Sequence, residues 1–522
     1  MSRAVLGIDL GTTNSVVASI DDTGRPTVLR NAGGAETTPS VVYFEPDGTA
    51  VVGEYARLAV AADPANGVTL VKRQMGSEFP VDLRGERHTP ESISALILRQ
   101  LVAGTGADPS GARAVITVPA YFGLREKEAT QQAGVLAGLD VLELVAEPVA
   151  AAAHYGLTAE RDATVLVYDL GGGTFDTTVL RVHAGGIDVV ATDGHHELGG
   201  ADVDRRLLQT VLDRLGDVLP ADEFADLGDD EVVLGNLLLD VEAAKRDLST
   251  RQSRAVPVRT PGRRLTVSLT RDDVDGACAD LLELTEDIVR RVLRTAGAPG
   301  YRHIDEVVMV GGSSRIPAVL DRLHRTTGMT PRLLEPELAV AKGAAVRAHQ
   351  LAGTPQLGAL ARSGARAGQL AGGRVRSVVP RGIGILVQDS FDPAGRRTFV
   401  DHLVRANTPI PVTETASRFG TIADGQETVR IRVYEQAGAA VSEEVAHNRL
   451  VLDGELTGLR PGKAGAIIRV TIAVGSDGRL TVVAHEPGSG RELTLEAFIE
   501  GVIDAADAER LATLVGRTRV RE

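Results

Sequence analysis

The sequence predicts a layered α/β domain, then an antiparallel β domain, then one short helix that closes the chain. From the N-terminus to about residue 350, short Val/Ile/Leu-rich strands alternate with longer helical stretches, the pattern of α/β layers. Residues 351–376 are then dominated by Gly, Ala and Arg. Such a stretch has too few large apolar groups to offset the entropy of ordering the chain, so a flexible linker is expected. Beyond it, apolar and polar residues alternate with a period of two, as half-buried strands require. The expected divisions are 1–350, 351–376, 377–496 and 497–522.

Taken in order, residues 165–168 and 307–310 read as buried strands, and between them 231–248 has the apolar spacing of a helix. The acidic run 221–231 reads as solvated surface. The single cysteine, Cys278, cannot form an intrachain disulfide, and its place in an apolar helical pattern over 274–282 predicts a buried, inert thiol. Residues 427–434 and 467–474 are the clearest alternating strands. Gly475-Ser476-Asp477-Gly478 supplies the positive backbone dihedrals of a hairpin turn. A helix over about 496–514 closes the chain.

A length of 522 residues exceeds one ordinary core, and 43% hydrophobic with 24% charged residues matches a globular protein. With 56 basic against 70 acidic residues the net charge is −14, which opposes binding to nucleic-acid phosphates. No apolar run is long enough to cross a bilayer, so no membrane partner is expected. The first residues lead directly into a strand without the pattern of a secretion signal, so the expected location is the cytoplasm.

Two segments repeat one device: Gly7-Ile8-Asp9-Leu10-Gly11-Thr12-Thr13-Asn14-Ser15 and Val167-Tyr168-Asp169-Leu170-Gly171-Gly172-Gly173-Thr174-Phe175-Asp176. Each is a strand, an aspartate, then glycine and threonine. Glycine lets backbone N–H groups approach phosphate oxygens, threonine adds a hydroxyl donor, and aspartate holds water on a magnesium ion bridging the phosphates. Neither segment is a P-loop, and no dinucleotide-binding fingerprint accompanies them. A third glycine turn follows a strand at Val310-Gly311-Gly312-Ser313-Ser314-Arg315.

Together these turns resemble the actin, sugar-kinase and heat-shock chaperone superfamily, and in detail the DnaK-type 70-kilodalton chaperones. Val71-Lys72-Arg73, Ile116-Thr117-Val118-Pro119-Ala120-Tyr121-Phe122, Ala146-Glu147-Pro148, Leu198-Gly199-Gly200-Ala201-Asp202 and Glu242-Ala243-Ala244-Lys245-Arg246-Asp247-Leu248-Ser249 narrow the match. The resemblance implies an actin-like two-lobed ATPase domain closing around ATP or ADP with Mg2+, followed by a β-sandwich that binds peptide.

The resemblance also implies roles. Lys72 would help hold the attacking water and γ-phosphate, and Glu147 would shape the water and metal network. Thr12, Thr13 and Thr174 would contact phosphates, with Gly11, Asn14, Gly171, Gly172, Gly173, Gly199, Gly200, Gly311, Gly312 and Ser313 lining the nucleotide. Asp9 and Asp169 would order the magnesium through water, and Asp176 would orient the nucleophile or take its proton. Glu242, Lys245 and Ser249 share one helix face, since offsets of three and four return to the same side. With Arg246 they match an adenosine clamp, and Arg315 would stack on adenine.

In the β-rich region, Asn407-Thr408-Pro409-Ile410-Pro411 is the best local match. The family spacing puts Ile385, Phe419, Val429 and Ile431 where an apolar peptide pocket would lie, although a sandwich core uses the same residue types. Two departures stand out. The segment after the sandwich is too short for the family's helical bundle and reads as a truncated lid, and the family's apolar, acid-flanked linker is absent.

The implied function is an ATP-dependent chaperone for unfolded or extended polypeptide, with a nucleotide-exchange factor and a J-domain protein as possible partners. A nucleotide-dependent scaffold or regulator of one client is the alternative, and a small-molecule kinase on the shared fold is the third reading.

Overall fold

The computed structural model describes residues 4–155, 162–184, 186–260, 263–297, 303–353, 374–389, 391–392, 396–438, 441–476, 478–497 and 505–522. Most of the expected linker, 354–373, lies outside these residues.

Two six-stranded sheets follow one plan. Across the first, the order is Asp140–Ala146, Arg113–Val118, Val5–Asp9, Asn14–Ile20 and Pro26–Leu29, with Thr38–Pro39 also pairing Asn14–Ile20. Across the second it is Arg332–Leu333, Glu306–Val310, Ala163–Leu170, Phe175–His183, Gly186–His195 and Arg374–Arg376. In each sheet a hairpin turns back on itself: Val5–Asp9 with Asn14–Ile20, and Ala163–Leu170 with Phe175–His183. In each, the hairpin's first strand also takes a parallel neighbour, Arg113–Val118 or Glu306–Val310. Those neighbours lead on to the helices Leu124–Leu136 and Pro317–Thr327. The chain thus builds two equivalent lobes, and the two glycine-threonine turns occupy the same place in each.

Leu6, Ile8, Ile93, Leu96 and Ile116 fill the core of the first lobe, and Leu166, Phe175, Leu207, Val241 and Leu269 that of the second. A third core joins the lobes, with Val115 and Val149 from one side meeting Val165, Val308 and Ala344 from the other. Through it run the helices Glu147–His154 and Ala339–Leu351. They touch backbone to backbone: a Cβ on Gly343 would lie 1.8 Å from the Ala150 carbonyl oxygen, a spacing only glycine permits. The second lobe extends outward through Gly200–Gly216, Glu231–Leu248, Arg271–Thr295 and the hairpin Ser253–Thr260 with Arg263–Thr270. Cys278 is buried there, and burial pushes its thiol up to about 12. The acidic run forms the helix Ala221–Asp229, of which only Leu227 is buried.

The C-terminal domain is a sandwich of two four-stranded antiparallel sheets. One has the order Thr398–Val404, Ile383–Gln388, Thr428–Gln436, Asn448–Thr457, and the other Val412–Gly420, Ile467–Val474, Leu480–Glu486, Arg491–Ala497. Ile383, Val433, Ile468, Val470, Ile472 and Val482 interdigitate between them. The sandwich docks on the first lobe through buried charge. Glu126 Oε1 takes Arg381 at 3.0 Å and Arg449 at 2.9 Å, while the Leu124 N–H donates to Glu435 Oε1 at 3.0 Å. Burial opposes ionisation of Glu126, but the two arginines outweigh it and its carboxyl lies below the ordinary value. On the second lobe, the Thr192 N–H donates to Asn407 Oδ1 at 2.8 Å.

The end of the chain differs from the sequence expectation. Residues 491–497 continue the sandwich as a strand, and the helix is Ala505–Arg517. The strand, with a period of two in Glu492, Leu493, Thr494 and Leu495, ends one residue past the expected sandwich boundary at 496, whereas the helix starts later than the expected 496. Read as a truncated lid, this helix would stand over the sandwich. It packs instead on the first-lobe helices Pro90–Gly104 and Leu124–Leu136, because its apolar face, Leu511, Leu514 and Val515, is buried there.

Candidate functional site

The paired turns meet between the lobes. Had Gly172 a Cβ, that atom would lie 2.0 Å from Thr13 Oγ1, and one on Gly173 would lie 2.2 Å from Thr12 Cγ2. Gly199 and Gly200 close over the second turn, with the Gly200 N–H donating to the Gly171 carbonyl at 3.0 Å and the Ala201 N–H to Gly172 at 2.7 Å. Those amides begin the helix Gly200–Gly216, whose N-terminal end is a favourable place for an anion. The third turn joins them: the Ser313 hydroxyl donates to the Gly171 carbonyl at 2.8 Å, and Gly311 has a left-handed φ of 82°. Gly312 opens the short helical turn Gly312–Arg315.

The first turn is braced from behind. Gly11 N–H donates to Ser15 Oγ at 3.2 Å, and the Ser40 hydroxyl donates to the Gly11 carbonyl at 2.7 Å. Asn14 starts the returning strand. Thr12 and Thr174 are buried, and the buried hydroxyl of Thr13 has no protein partner. A buried hydroxyl without a partner is costly unless a ligand supplies one, and a phosphate oxygen is chemically suited to that place.

Beside the turns lies a knot of charge. Lys72, on the turn Val71–Gln74, donates from Nζ to Glu147 Oε1 at 2.6 Å; both side chains are buried. Glu147 opens the interlobe helix at the end of the strand Asp140–Ala146. Asp9 accepts from the Thr117 hydroxyl at 2.9 Å, and Asp176 from the Ala120 N–H at 2.5 Å. Burial, with Glu147 adding to it, pushes Asp9 up to about 7, while Lys72 and Thr117 pull it down. Burial and Glu147 likewise push Asp176 up to about 8 and hold Asp169 well above its ordinary value. Burial works against charge on Lys72, but Glu147, Asp9 and Asp169 outweigh it and keep the ammonium protonated. Four carboxylates around one ammonium favour a further cation. Among the described residues no three His, Cys, Asp or Glu side chains form a direct metal site. The donor set therefore fits a cation held through water and phosphate oxygens rather than by the protein alone.

The far side of the cleft carries Glu242, Lys245, Arg246 and Ser249 at the end of Glu231–Leu248. Lys245 Nζ donates to Asp204 Oδ2 at 2.7 Å and to the Gly200 carbonyl at 2.8 Å. Glu242 pairs with Arg246 at 2.5 Å and, from the first lobe, with Arg57 at 2.9 Å. Arg315 is held flat by a bidentate pair with Glu337, close by on the same side of the fold. Arg73 joins the lobes, donating to the Gly173 carbonyl at 2.8 Å and to Asp202 at 2.7 Å.

Arg57, Arg73, Asp204 and Glu337 were not singled out by sequence reasoning. Arg73 carried a signal in its position beside Lys72, whereas the others find their partners only through the fold.

In the sandwich, Ile385 and Ile431 lie in the core, each 3% exposed. Phe419 and Val429 pack against that core while remaining partly accessible. Ile422 and Ile467 are exposed at the same end, where the Thr421 N–H donates to the Ala466 carbonyl.

Comparison with known proteins gives one consistent result. A family model described as "Hsp70 protein" matches residues 5–83 and 79–515. The chain is similar to "Chaperone protein DnaK" of Thermotoga neapolitana, 36% identical over 521 residues that cover 97% of this chain and 82% of the relative. It is 37% identical over 505 residues to the protein of the same name from Thermotoga maritima, covering 94% of this chain and 80% of that one.

Proposed function

Because the chain belongs to the Hsp70 family, we propose that it is an ATP-hydrolysing chaperone in which the interlobe cleft binds Mg2+ and ATP and regulates the sandwich's hold on extended polypeptide. The observation that carries this reading is the meeting of two equivalent glycine-threonine turns, with the Lys72–Glu147 pair beside them.

Backbone amides of residues 11–13, 171–173 and 199–201, with the hydroxyls of Thr12, Thr13 and Thr174, cradle the phosphates. Asp9 and Asp169 would hold a hydrated magnesium ion, which would supply neutralisation of phosphate charge. Lys72 positions the attacking water and stabilises charge developing on the γ-phosphate, and Glu147 fixes Lys72. Asp176, anchored by the Ala120 N–H, orients the water and takes its proton. Glu242, Lys245, Arg246 and Ser249 face the adenosine, and Arg315 stacks on the base once released toward it. No covalent intermediate is required.

Extended polypeptide binds the sandwich through backbone hydrogen bonds, with an apolar side chain resting near Phe419 and Val429 over the layer formed by Ile385 and Ile431. One leucine-sized side chain buried there contributes about 1.5–3 kcal/mol, with little demand on its neighbours, so specificity is broad. The contacts of Glu126 with Arg381 and Arg449 form the route by which cleft and sandwich sense one another. A nucleotide-exchange factor and a J-domain protein are the proposed partners, and the cytoplasm is the proposed location. Among the described residues no helix is long and apolar enough to cross a membrane.

The test measures ATP turnover against a panel of unrelated unfolded peptides. Stimulation by many supports the chaperone reading. Response to a single partner would make the protein a dedicated scaffold, and no turnover with magnesium present would sink the ATPase.

A further inference from the structure

The last eighteen described residues are bound to the first lobe at every level. Leu511 and Val515 are fully buried and Leu514 nearly so. Past the helix, the Ala50 N–H donates to the Arg519 carbonyl at 2.9 Å, and Val520–Arg521 pairs in parallel with Ala50–Val51. This strand covers the edge of the small sheet containing Val42–Phe44 and Ala50–Val52, an edge that would otherwise present unpaired backbone groups. Glu522 Oε2 accepts from the Ala32 N–H at 2.9 Å, Arg510 donates to the Arg87 carbonyl at 3.0 Å, and Arg517 pairs with Glu86 at 2.5 Å.

The covered strand leads directly to the cleft. Ala50–Val52 turns at Gly53, whose φ is 102°, into the helix Glu54–Ala62. The tail reaches that corner: a Cβ on Gly53 would lie 3.6 Å from Glu522 Cγ, and the Arg521 guanidinium stands 5.9 Å over the Tyr55 ring. Helix Glu54–Ala62 then crosses to the second lobe. Arg57 pairs with Glu242 at 2.9 Å, and a Cβ on Gly235 would lie 2.6 Å from the Ala61 carbonyl oxygen. One contiguous set of packed elements therefore runs from the tail to the helix that carries Glu242 and Lys245.

We propose that the C-terminal helix and strand act as a strap on the first lobe that restrains opening of the cleft and so slows release of bound nucleotide. The strap holds the strand, the strand holds Glu54–Ala62, and that helix closes against Glu231–Leu248. Opening the cleft requires Arg57 to leave Glu242, and a tail locked to Gly53 and Tyr55 opposes the movement. The proposal rests on nucleotide occupying the cleft.

The experiment follows release of a fluorescent ADP analogue from the full chain by stopped flow, with hydrogen exchange over residues 54–62 measured without nucleotide. Leu511→Asp undocks the helix, and Arg521→Pro removes an N–H from the strand pairing. Each is expected to speed release by about fivefold or more and to raise exchange in 54–62. A reversible counterpart, Val51→Cys with Arg521→Cys, fixes the strap by a disulfide. Oxidation is expected to slow release below that of the parent protein, and reductant to restore it within the same folded molecule. Unchanged release in a folded variant whose tail has become exchange-accessible overturns the strap, as does a cross-link that leaves release unaltered. If the parent binds no ADP, the nucleotide reading fails; unchanged exchange in 54–62 on undocking then overturns the strap separately.

Discussion

Lys72 Nζ lies 2.6 Å from Glu147 Oε1, and both side chains are buried at the seam between the lobes. The pair restricts the ammonium's rotamers, so the group proposed to stabilise phosphoryl charge is oriented by the protein itself. Lys72→Ala is expected to slow single-turnover hydrolysis about 100-fold or more while largely sparing ATP binding. A rapid-quench measurement showing unchanged hydrolysis would remove Lys72 from the mechanism.

The contact of Gly172 with Thr13 leaves no room for a side chain, since a Cβ would fall 2.0 Å from the hydroxyl oxygen. Gly172→Val is expected to weaken ATP binding by about tenfold or more, through separation of the two turns. Calorimetric titration checks this, and an unaltered affinity in a folded variant would show that the turns act independently.

Arg315 is half exposed and paired with Glu337, so its removal has little effect on stability, within about 1 kcal/mol. Its proposed place over the adenine predicts a selective effect. Arg315→Ala should lower affinity for ATP more than for inorganic triphosphate, and equal losses for both ligands would argue against stacking.

Glu126 is the shared acceptor of Arg381 and Arg449 at the boundary between sandwich and first lobe. Glu126→Ala removes the acceptor shared by the buried Arg381 and the partly exposed Arg449, with Glu435 the remaining acid beside them, a change that costs up to about 3–5 kcal/mol where an ion pair is buried. The docked arrangement should give way, seen as a larger radius of gyration in solution scattering. An unchanged scattering profile would mean that other contacts hold the domains together.

His88 is buried beside Phe44, and burial lowers its imidazole from the ordinary 6.5 to about 4, with Glu86 opposing and Arg510 and Arg517 assisting. The folded ring stays neutral where the unfolded one takes a proton. Stability from this group is complete above about pH 6.5 and is lost as the pH falls toward 4. Between pH 6.5 and about pH 5 the loss is at most about 2 kcal/mol. His88→Phe should flatten the pH dependence of the melting temperature over that interval, and a slope identical to the parent's would assign the effect elsewhere.

The strands at 467–474 and the helix at 231–248 were legible because their periodicity is local. So were the glycine-threonine turns, where glycine lets backbones approach closely and the chain says so within a few residues. The expected end of the sandwich is near 496, and the strand Arg491–Ala497 closes it there by pairing with Leu480–Glu486; the helix starts later than expected, at Ala505, because apolar spacing locates a helix less sharply than its first turn. The family spacing singled out Ile385 and Ile431, yet spacing does not distinguish a groove from the core beneath it.

The amino-acid order alone determined the layered class of the first domain, the β character of the second, and the residue types suited to a triphosphate. Tertiary structure decided which charges face one another: Arg57 with Glu242, Lys245 with Asp204, Glu126 with Arg381, and the C-terminal tail with the strand at Ala50. Backbone geometry repeats over two to four residues and leaves its mark in the sequence. A contact between residues tens to hundreds of positions apart depends on how whole elements pack, and no local pattern records it.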